Sequence, residues 1–433
     1  MTGNGNRPHT GDIAAVTSTS QYDVVVVGGG SAGVAAAVGA RRAGAETLLI
    51  ERGPCLGGAA TLRNVLTYCG IYTREDPPRQ VVYGVAEDVL ARLRALGAVT
   101  EPIRFTSVAV VFDPEAVKHV LDEVCLDAGV AVRLDSQLVG AYRPDGVIES
   151  LRVADHQGLH EIRARAFVDA TGEADLATFA GAAVRYGNDG QIQNGTLGVR
   201  FGGISPHAEV TRDTLAAAIV TAKQQGAPLL AERGLVARLP ISGDVITYVV
   251  DAGYDARDAA QMTRAQADSR TRARDYLLAL RTIPGCADAY IVTTGPEIGT
   301  RESRHIIGRY QLSGVEALTG AHCEDVIGLG AWPVEYHPGP GITPQWQFIA
   351  DNGHYDIPWR TLCSIDTPNL FAAGRTLDGD RLAGASLRVM GTAFATGQAA
   401  GIGAALYTEH REVPDPKIVQ DELRRQGAYV PDR

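Results

Sequence analysis

The sequence predicts an α/β fold in which a central parallel sheet with a β-meander forms one domain and a mixed α+β region forms a second. Three observations support this prediction. Residues 24–51 have the order strand, glycine-rich turn, helix, strand, which is typical of a βαβ unit. Residues 136–165 alternate polar and apolar around a Pro-Asp-Gly turn, as an antiparallel meander does. From about residue 185 a polar stretch is followed by two long helical patterns, near 207–235 and 256–282.

The βαβ unit contains a motif with a specific chemical meaning. Four valines run into Gly28, Gly30 and Gly33, with the spacing G-x-G-x-x-G. In this motif the first glycine allows a tight turn, the second lets the backbone approach a diphosphate, and the third lets helix and strand pack closely. Glu51 follows about twenty residues later, where a ribose hydroxyl needs an acceptor. The unit therefore predicts a Rossmann-like dinucleotide site, with an ordinary glycine turn as the alternative.

Further elements follow from periodicity. We expect a helix over about 78–96, a strand over 107–112, a helix between Asp113 and Gly129, and a strand over 130–134. We assign residues 1–20 to a disordered tail and residues 21–185 with 346–410 to a discontinuous first domain. Residues 186–345 form a substrate-covering domain in this prediction, and residues 411–433 a C-terminal extension.

Composition excludes several classes of protein. The net charge of −10 argues against a nucleic-acid partner. Six scattered cysteines form no C-x-x-C pair, so neither a metal site nor a dithiol pair is indicated. No apolar run reaches the length of a membrane span, and residues 1–20 lack the apolar centre of a signal peptide. We therefore expect a cytoplasmic protein without a membrane partner.

Later segments strengthen the dinucleotide prediction. Residues 167–172 have the sequence FVDATG, and residues 369–375 have NLFAAGR. Residues 301–308 have RESRHIIG, and residues 388–401 have RVMGTAFATGQAAG. With these motifs the chain resembles the FAD-dependent oxidoreductases of the glutathione-reductase-like flavoprotein superfamily, and more narrowly a bacterial subgroup with the same signatures. The resemblance is spread over most of residues 22–408.

The resemblance implies that FAD is the cofactor and assigns positions along it. Residues 28–33 would hold the diphosphate through Gly28, Gly30, Ser31, Ala32 and Gly33. Glu51 would bind the adenosine ribose. The helix that follows Arg388 would point its N-terminus at the flavin O2 edge, where reduced flavin carries negative charge. The other implied FAD-binding residues are Arg52, Gly58, Ala59, Thr61, Asp169, Ala170, Thr171, Gly172, Gly374, Arg375, Val389 and Met390.

Two candidates for catalysis lie in the second half of the chain. His337 belongs to WPVEYHPGPG, a rigid turn, and histidine can move a proton near neutral pH. Members of the resembled subgroup often carry a histidine in this region; a surface histidine is the alternative. Arg301 could bind an anion or the substrate, or form an Arg–Glu network with Glu302 that joins the two domains.

Arg388 and Tyr68 complete the candidates. Arg388 could stabilise reduced flavin, with a structural ion pair as the alternative. Tyr68 and Cys69 follow Gly57-Gly58, a stretch that runs beside the isoalloxazine ring in the resembled superfamily. One of these two residues could therefore border the substrate cavity, while burial in the core is the alternative.

The leading hypothesis is an FAD-dependent dehydrogenase or oxidase that transfers a hydride from a small organic metabolite to flavin N5, in bacterial secondary metabolism. Dioxygen or another acceptor would reoxidise the flavin, and homo-oligomerisation stays open. An NAD(P)H-dependent monooxygenase is the second hypothesis, although DATG and AGR replace its usual signatures and no second G-x-G-x-x-G is framed as a nucleotide site. A non-catalytic protein with a flavoprotein fold is the third.

Overall fold

The structure, a computed structural model, describes residues 16–433. Most of the predicted tail, residues 1–15, lies outside the described residues. Residues 16–20 belong to the first strand, which pairs with a distant strand from Val16 onward. Across the described residues no helix is long and apolar enough to cross a bilayer.

Seven strands form the central sheet; strands and helices are numbered in chain order. They are β1 (Val16–Val27), β2 (Thr47–Ile50), β6 (Ala131–Arg133), β7 (Gln137–Tyr142), β8 (Ser150–Asp155), β9 (Gly158–Asp169) and β20 (Leu370–Ala372). Their order is β6-β2-β1-β9-β8-β7, and β20 pairs with the last residues of β9. The pairs joining β6, β2, β1, β9 and β20 are parallel, whereas β7, β8 and β9 form an antiparallel meander. The predicted α/β fold is confirmed.

Residues 186–345, which the sequence predicts to cover the substrate, contain a sheet of their own. Its strands are β11 (Gly195–Gly202), β12 (Val236–Arg238), β13 (Val245–Ala252) and β14 (Tyr290–Thr294), in the order β12-β13-β11-β14. Two helices, α6 (Arg212–Gln224) and α7 (Ala259–Leu280), pack on it around a separate apolar core. The mixed α+β character is as predicted, and the exact domain limits stay a prediction. The first helix is shorter than expected because residues 225–235 form a loop before β12.

Smaller sheets and the other helices complete the fold. The strands are β3 (Thr67–Cys69), β4 (Ile103–Arg104), β5 (Val108–Val111), β10 (Val184–Tyr186), β15 (Arg304–Ile306), β16 (Val326–Gly330), β17 (Val334–Tyr336), β18 (Gln345–Gln347) and β19 (Tyr355–Pro358). They pair as β3-β5-β4, β10-β15, β16-β19 and β17-β18. The helices are α1 (Ser31–Arg42), α2 (Ala59–Leu62), α3 (Val85–Ala95), α4 (Pro114–Ala128), α5 (Asp175–Phe179), α8 (Gly314–Thr319), α9 (Arg381–Leu387), α10 (Met390–His410) and α11 (Pro416–Arg425).

Local signals explain where the helices begin and end. The side chain of Asp113 accepts hydrogen bonds from the amides of Glu115 and Ala116, and Gly129 adopts a left-handed conformation after α4. This helix begins and ends where the sequence predicts. Helix α3 starts later than predicted, after Gly84 with a φ of +65°.

The first helix packs directly on the long helix near the C-terminus. A Cβ atom at Gly397 would lie 2.1 Å from the carbonyl oxygen of Ala32, and one at Gly401 would lie 1.9 Å from that of Ala36. Only glycine permits this backbone approach. Two segments almost 350 residues apart in the chain, α1 and α10, are thereby held in contact.

We expect Gly401→Ala to destabilise the fold by about 1–3 kcal/mol, because its methyl group must push α10 away from α1. The matched control is Gly384→Ala in α9, where the new Cβ atom would meet no heavy atom closer than 3.8 Å. This control should be neutral or stabilising by about 0.5–1 kcal/mol, since it only removes backbone freedom. Urea unfolding midpoints measure both effects, and equal midpoints would contradict the tight helix contact.

Candidate active site

The glycine motif forms a turn that leaves the first helix open at its start. Gly28 has a φ of +101°, and a Cβ atom there would lie 2.4 Å from the carbonyl oxygen of Ala170. Gly30 precedes α1 and supplies no side-chain cap, and a Cβ atom at Gly30 would meet nothing closer than 3.9 Å. The buried hydroxyl of Ser31 has no hydrogen-bond partner. The first amides of α1 therefore face space that can accept an anion.

Glu51 supports this turn from the end of β2. Its carboxylate accepts hydrogen bonds from the amides of Gly29 at 2.6 Å and Gly53 at 2.7 Å, and the residue is only 6 % exposed. Each carboxylate oxygen has a second lone pair, so the side chain can still accept from a ribose hydroxyl. A cleft of about 330 Å³ opens here, lined by Gly28, Glu51 and Thr171 and, from helix α7, by Met262 and Gln266.

A second open helix start lies beside the first. Gly374, with a φ of +73°, sits between the first turns of α1 and α10, where a Cβ atom would lie 3.1 Å from the Cβ atom of Ala32 and 3.7 Å from that of Ala393. Val389 precedes α10 without a side-chain cap, and the buried hydroxyl of Thr392 has no partner. The positive ends of two helices thus meet at one place.

Some predicted cofactor ligands have other partners in the structure. The Asp169 carboxylate faces inward and accepts from the Thr171 amide and hydroxyl and from the Ala177 amide. Burial raises the pKa of Asp169 to about 6. The Thr61 hydroxyl donates to the carbonyl of Leu56 at 2.7 Å. Asp169 and Thr61 therefore shape the loops, and their own contact with the cofactor stays a prediction.

The remaining predicted ligands lie where the loops converge. Gly58 has a φ of +54°, and a Cβ atom there would lie 2.9 Å from the Cα atom of Gly30. Ala59 begins α2, directly after Gly58. A Cβ atom at Gly172 would lie 2.7 Å from Nε of Arg375. The loops after β1, β2, β9 and β20 therefore border one site.

Arg375 is the buried end of a chain of alternating charges that reaches the surface at Arg52. It pairs with Glu173 and donates to the carbonyl of Thr300 at 2.7 Å. Glu173 also lies 3.6 Å from Arg63, which lies 3.2 Å from Glu297. Glu297 in turn is 2.5 Å from Arg52 at the edge of the cleft. Burial would raise the pKa of Glu173, but the charges of Arg375 and Arg63 outweigh it and lower the pKa.

The candidate histidine and one candidate arginine share a carboxylate. Nε2 of His337 lies 3.2 Å from Oε1 of Glu335, and Nη2 of Arg388 lies 3.4 Å from Oε2 of the same side chain. Burial would raise the pKa of Glu335, but the hydrogen bond from His337 and the charges of Arg388 and Arg301 lower it to about 2. Burial and the charge of Arg301 lower the pKa of His337 to about 4. At neutral pH the group therefore holds an ionised carboxylate and a neutral imidazole.

Arg301 lies in the same group. Its Nη1 donates to the carbonyl of Asn194 at 2.8 Å, and its charge acts on both His337 and Glu335. Glu302 turns the other way, accepting from Asn188 at 2.9 Å and from the Gln193 amide at 3.1 Å. The structure thus brings Arg301, His337 and Arg388 together, and their roles in catalysis stay predictions.

Tyr68 does not join this group, and its predicted catalytic role is not supported by its position. The ring is fully buried between Phe112 and Phe394, with centroids 4.3 and 5.3 Å away. Neighbouring residues of a strand point to opposite faces, so Cys69 faces the charged group in its place. Burial raises the pKa of the Cys69 thiol to about 12, against the charge of Arg388. Its sulfur therefore stays protonated.

Sequence reasoning missed Glu335, Glu173 and Gln193. Glu335 precedes His337 by two residues at the end of a strand, and that spacing places both side chains on one face. This signal was available in the sequence. Gln193 could not be found, because its contact with the His337 amide, at 3.3 Å, joins positions far apart in the chain.

The comparison with known protein families decides the identity of the cofactor. The family of FAD dependent oxidoreductases matches residues 23–426. The chain belongs to this family. It is therefore an enzyme that uses FAD.

The residues present fit that cofactor. Two uncapped helix starts, at Gly30 and Val389, supply free amides, and the buried hydroxyls of Ser31 and Thr392 lack partners. A diphosphate and a flavin edge provide the acceptors that such groups need.

Among relatives, the digeranylgeranylglycerophospholipid reductase of Thermoplasma volcanium is 28% identical over 171 residues, which cover 37% of this chain and 42% of that protein. The match thus spans less than half of the reductase. Among solved structures, a geranylgeranyl bacteriochlorophyll reductase-like protein from Thermoplasma acidophilum has a TM-score of 0.45 at 13% identity, over 94% of this chain and 83% of that one. The anhydrotetracycline hydroxylase of Streptomyces rimosus has a TM-score of 0.46 at 13% identity, over 94% and 66%.

We expect Glu173→Gln to destabilise the protein by about 3–5 kcal/mol, because Arg63 and Arg375 lose the carboxylate between them while they stay buried. Glu232→Gln is the matched control, since Glu232 pairs with Lys223 at 2.5 Å with 51% of its side chain exposed. The control should change the free energy of unfolding by about 0–1 kcal/mol. Chemical unfolding measures both variants, and similar small losses would show that the chain of charges contributes little.

Proposed function

We propose that this enzyme oxidises a small organic metabolite, acting as a dehydrogenase or oxidase. FAD, when bound, supplies the hydride acceptor at its N5 atom. The observation that carries the proposal is the group formed by Arg301, Glu335, His337 and Arg388 near the open start of α10. It combines a neutral base, an ionised carboxylate and two positive charges within one buried region.

His337 is suited to accept the substrate proton. Because Glu335 stays ionised with Oε1 3.2 Å from Nε2 of His337, we assign the hydrogen of the neutral ring to Nε2. The lone pair of Nδ1 is then available as a base, and Glu335 stabilises the imidazolium that forms. The same pairing fixes the orientation of the ring, as an acid partner does in other proton-transferring histidines.

Arg388 and α10 serve the cofactor in this proposal. The Arg388 side chain is only 13% exposed, and its Nε atom has no hydrogen-bond partner. Together with the first amides of α10, after Val389 and Met390, it provides positive charge for an anionic edge of reduced flavin. Gly28, Gly30, Ser31, Ala32 and Gly33 hold the diphosphate, and Glu51 holds the ribose.

The finer assignments belong to the proposal as well. We place the enzyme in the glutathione-reductase-like subgroup, because it shares that subgroup's signatures. We also propose that it acts in bacterial secondary metabolism. In this proposal the enzyme works in the cytoplasm. The electron acceptor is dioxygen or another oxidant, and the oligomeric state is open. An NAD(P)H-dependent monooxygenase stays the second candidate, and the experiment below separates it from the first.

The proposal is tested by loading the purified protein with FAD, removing unbound cofactor and mixing it anaerobically with a panel of small organic metabolites. We expect a stable flavin spectrum and loss of visible absorbance with a metabolite alone, since the hydride comes from the substrate. Bleaching only by NADPH, followed by substrate-dependent oxygen uptake, would favour the monooxygenase. A protein that holds FAD but is reduced by neither would contradict both.

We expect His337→Gln to lower kcat/KM by about 10²–10⁴-fold with a substrate found in that screen, while FAD content stays unchanged. His119→Gln, at an exposed position of α4, is the control. Because the pKa of His337 lies at about 4, protonation removes the base only near that pH, so the wild-type kcat/KM should not fall near pH 6.5 through this group. A His337-dependent fall near pH 6.5 would contradict the neutral, buried base.

A further inference from the structure

We propose that the substrate carries a carboxylate next to an apolar or aromatic body, and that Arg301 with Gln193 binds the carboxylate. The inference rests on the proposed function and names the substrate class of the same site. It follows from an accounting of hydrogen-bond donors and acceptors in the group around His337.

Several donors in this group are left without acceptors. Among the described residues no carboxylate oxygen lies within 4.0 Å of the Arg301 guanidinium, whose hydrogen bond goes to the Asn194 carbonyl. The Oε1 atom of Gln193 accepts from the His337 amide, so its Nε2 atom is the donor end. This Nε2 atom is buried without a partner. Buried donors of this kind normally have an acceptor, which a ligand can bring.

Most acceptors nearby are already used; Oδ1 of Asn194 is buried without a partner, against the unpartnered donors Nε2 of Gln193 and Nε of Arg388. Three carboxylates lie in the region, and each one receives hydrogen bonds: Glu335 from Trp332 and Arg388, Glu302 from Asn188 and Gln193, and Asp251 from Gly341. The positive charge of Arg301 acts on the carboxylates of Asp251 and Glu335, but neither forms an ion pair with it. The group around His337 therefore has more hydrogen-bond donors than acceptors, and an anionic oxygen of a ligand can accept from them.

The side chains beside these donors are apolar. Trp332 packs with Trp346, their ring centroids 5.9 Å apart at 60°, and Val389 and Cys69 belong to the same small cluster. Trp332 also donates from Nε1 to Glu335 at 3.2 Å, so the aromatic wall adjoins the charged group. A substrate with a charged end at Arg301 and an apolar body at the tryptophans matches both sides.

The test titrates the FAD-loaded enzyme with benzoate and phenylacetate, and with benzamide and phenylacetamide as uncharged matches. Flavin absorbance and tryptophan fluorescence report binding. We expect each carboxylate to bind at least about tenfold more tightly than its amide, because a hydrogen bond between charged partners is stronger than one to a neutral acceptor. Equal affinity within both pairs, or no saturable signal from either carboxylate, overturns the inference.

Variants identify the residue responsible. Arg301→Gln should remove the preference for the carboxylate while FAD content stays unchanged, and Arg301→Lys should keep part of it. Arg274→Gln, at an exposed position of α7, is the control and should behave as wild type. An unchanged benzoate affinity in Arg301→Gln contradicts the assignment.

The two proposals fail separately. Tryptophan fluorescence follows carboxylate binding without any turnover, so binding through Arg301 can be measured in protein that no metabolite reduces. Such a result would keep the anion site and contradict the oxidation of a metabolite. Reduction of the flavin by an uncharged metabolite, together with no preference for carboxylates in the titration, would support the oxidation of a metabolite and contradict the anion site.

Discussion

The contact between α1 and α10 is the constraint on which the rest of the site depends. Gly397 and Gly401 let the two helices approach until backbone meets backbone, and Gly374 fills the small space between their first turns. Both helix starts are thereby fixed side by side, each without a side-chain cap. Free amides in a fixed position hold an anionic cofactor without rearrangement, since the positive ends of the dipoles are already aligned.

Charge inside the protein is arranged in two groups with different purposes. The chain from Arg52 to Arg375 alternates in sign, so each guanidinium has a carboxylate neighbour, and it joins the cleft to residues 186–345 through Glu297. The group around His337 is not balanced in this way. Its donors exceed its free acceptors, and buried imbalance of that kind is common at functional sites. We therefore infer stability from the first group and chemistry from the second.

The sequence predicted the parts of the fold that depend on local patterns. The end of β1 at residues 24–27, the glycine turn and α4 follow from periodicity, glycine spacing and capping residues, which act over a few positions. The start of β1 was wrongly assigned to a disordered tail, because its pairing with β9 is not a local pattern. The position of Tyr68 could not be predicted in this way, because the choice of which strand face meets the core depends on the partners Phe112 and Phe394. The inward turn of Asp169 likewise depends on the Ala177 amide, which helix α5 brings back to the end of β9.

The pairing of β20 with β9 affects how the protein is made in the cell. A ribosome completes β9 about two hundred residues before it reaches Leu370, so part of that strand's edge has no native neighbour while those residues are added. Unpaired edges can join other chains, and this sheet becomes complete only late in synthesis. The enzyme therefore depends on release of almost its whole length before its cofactor-binding domain can close, and fragments cut before residue 370 should lack that domain's final strand and second helix start.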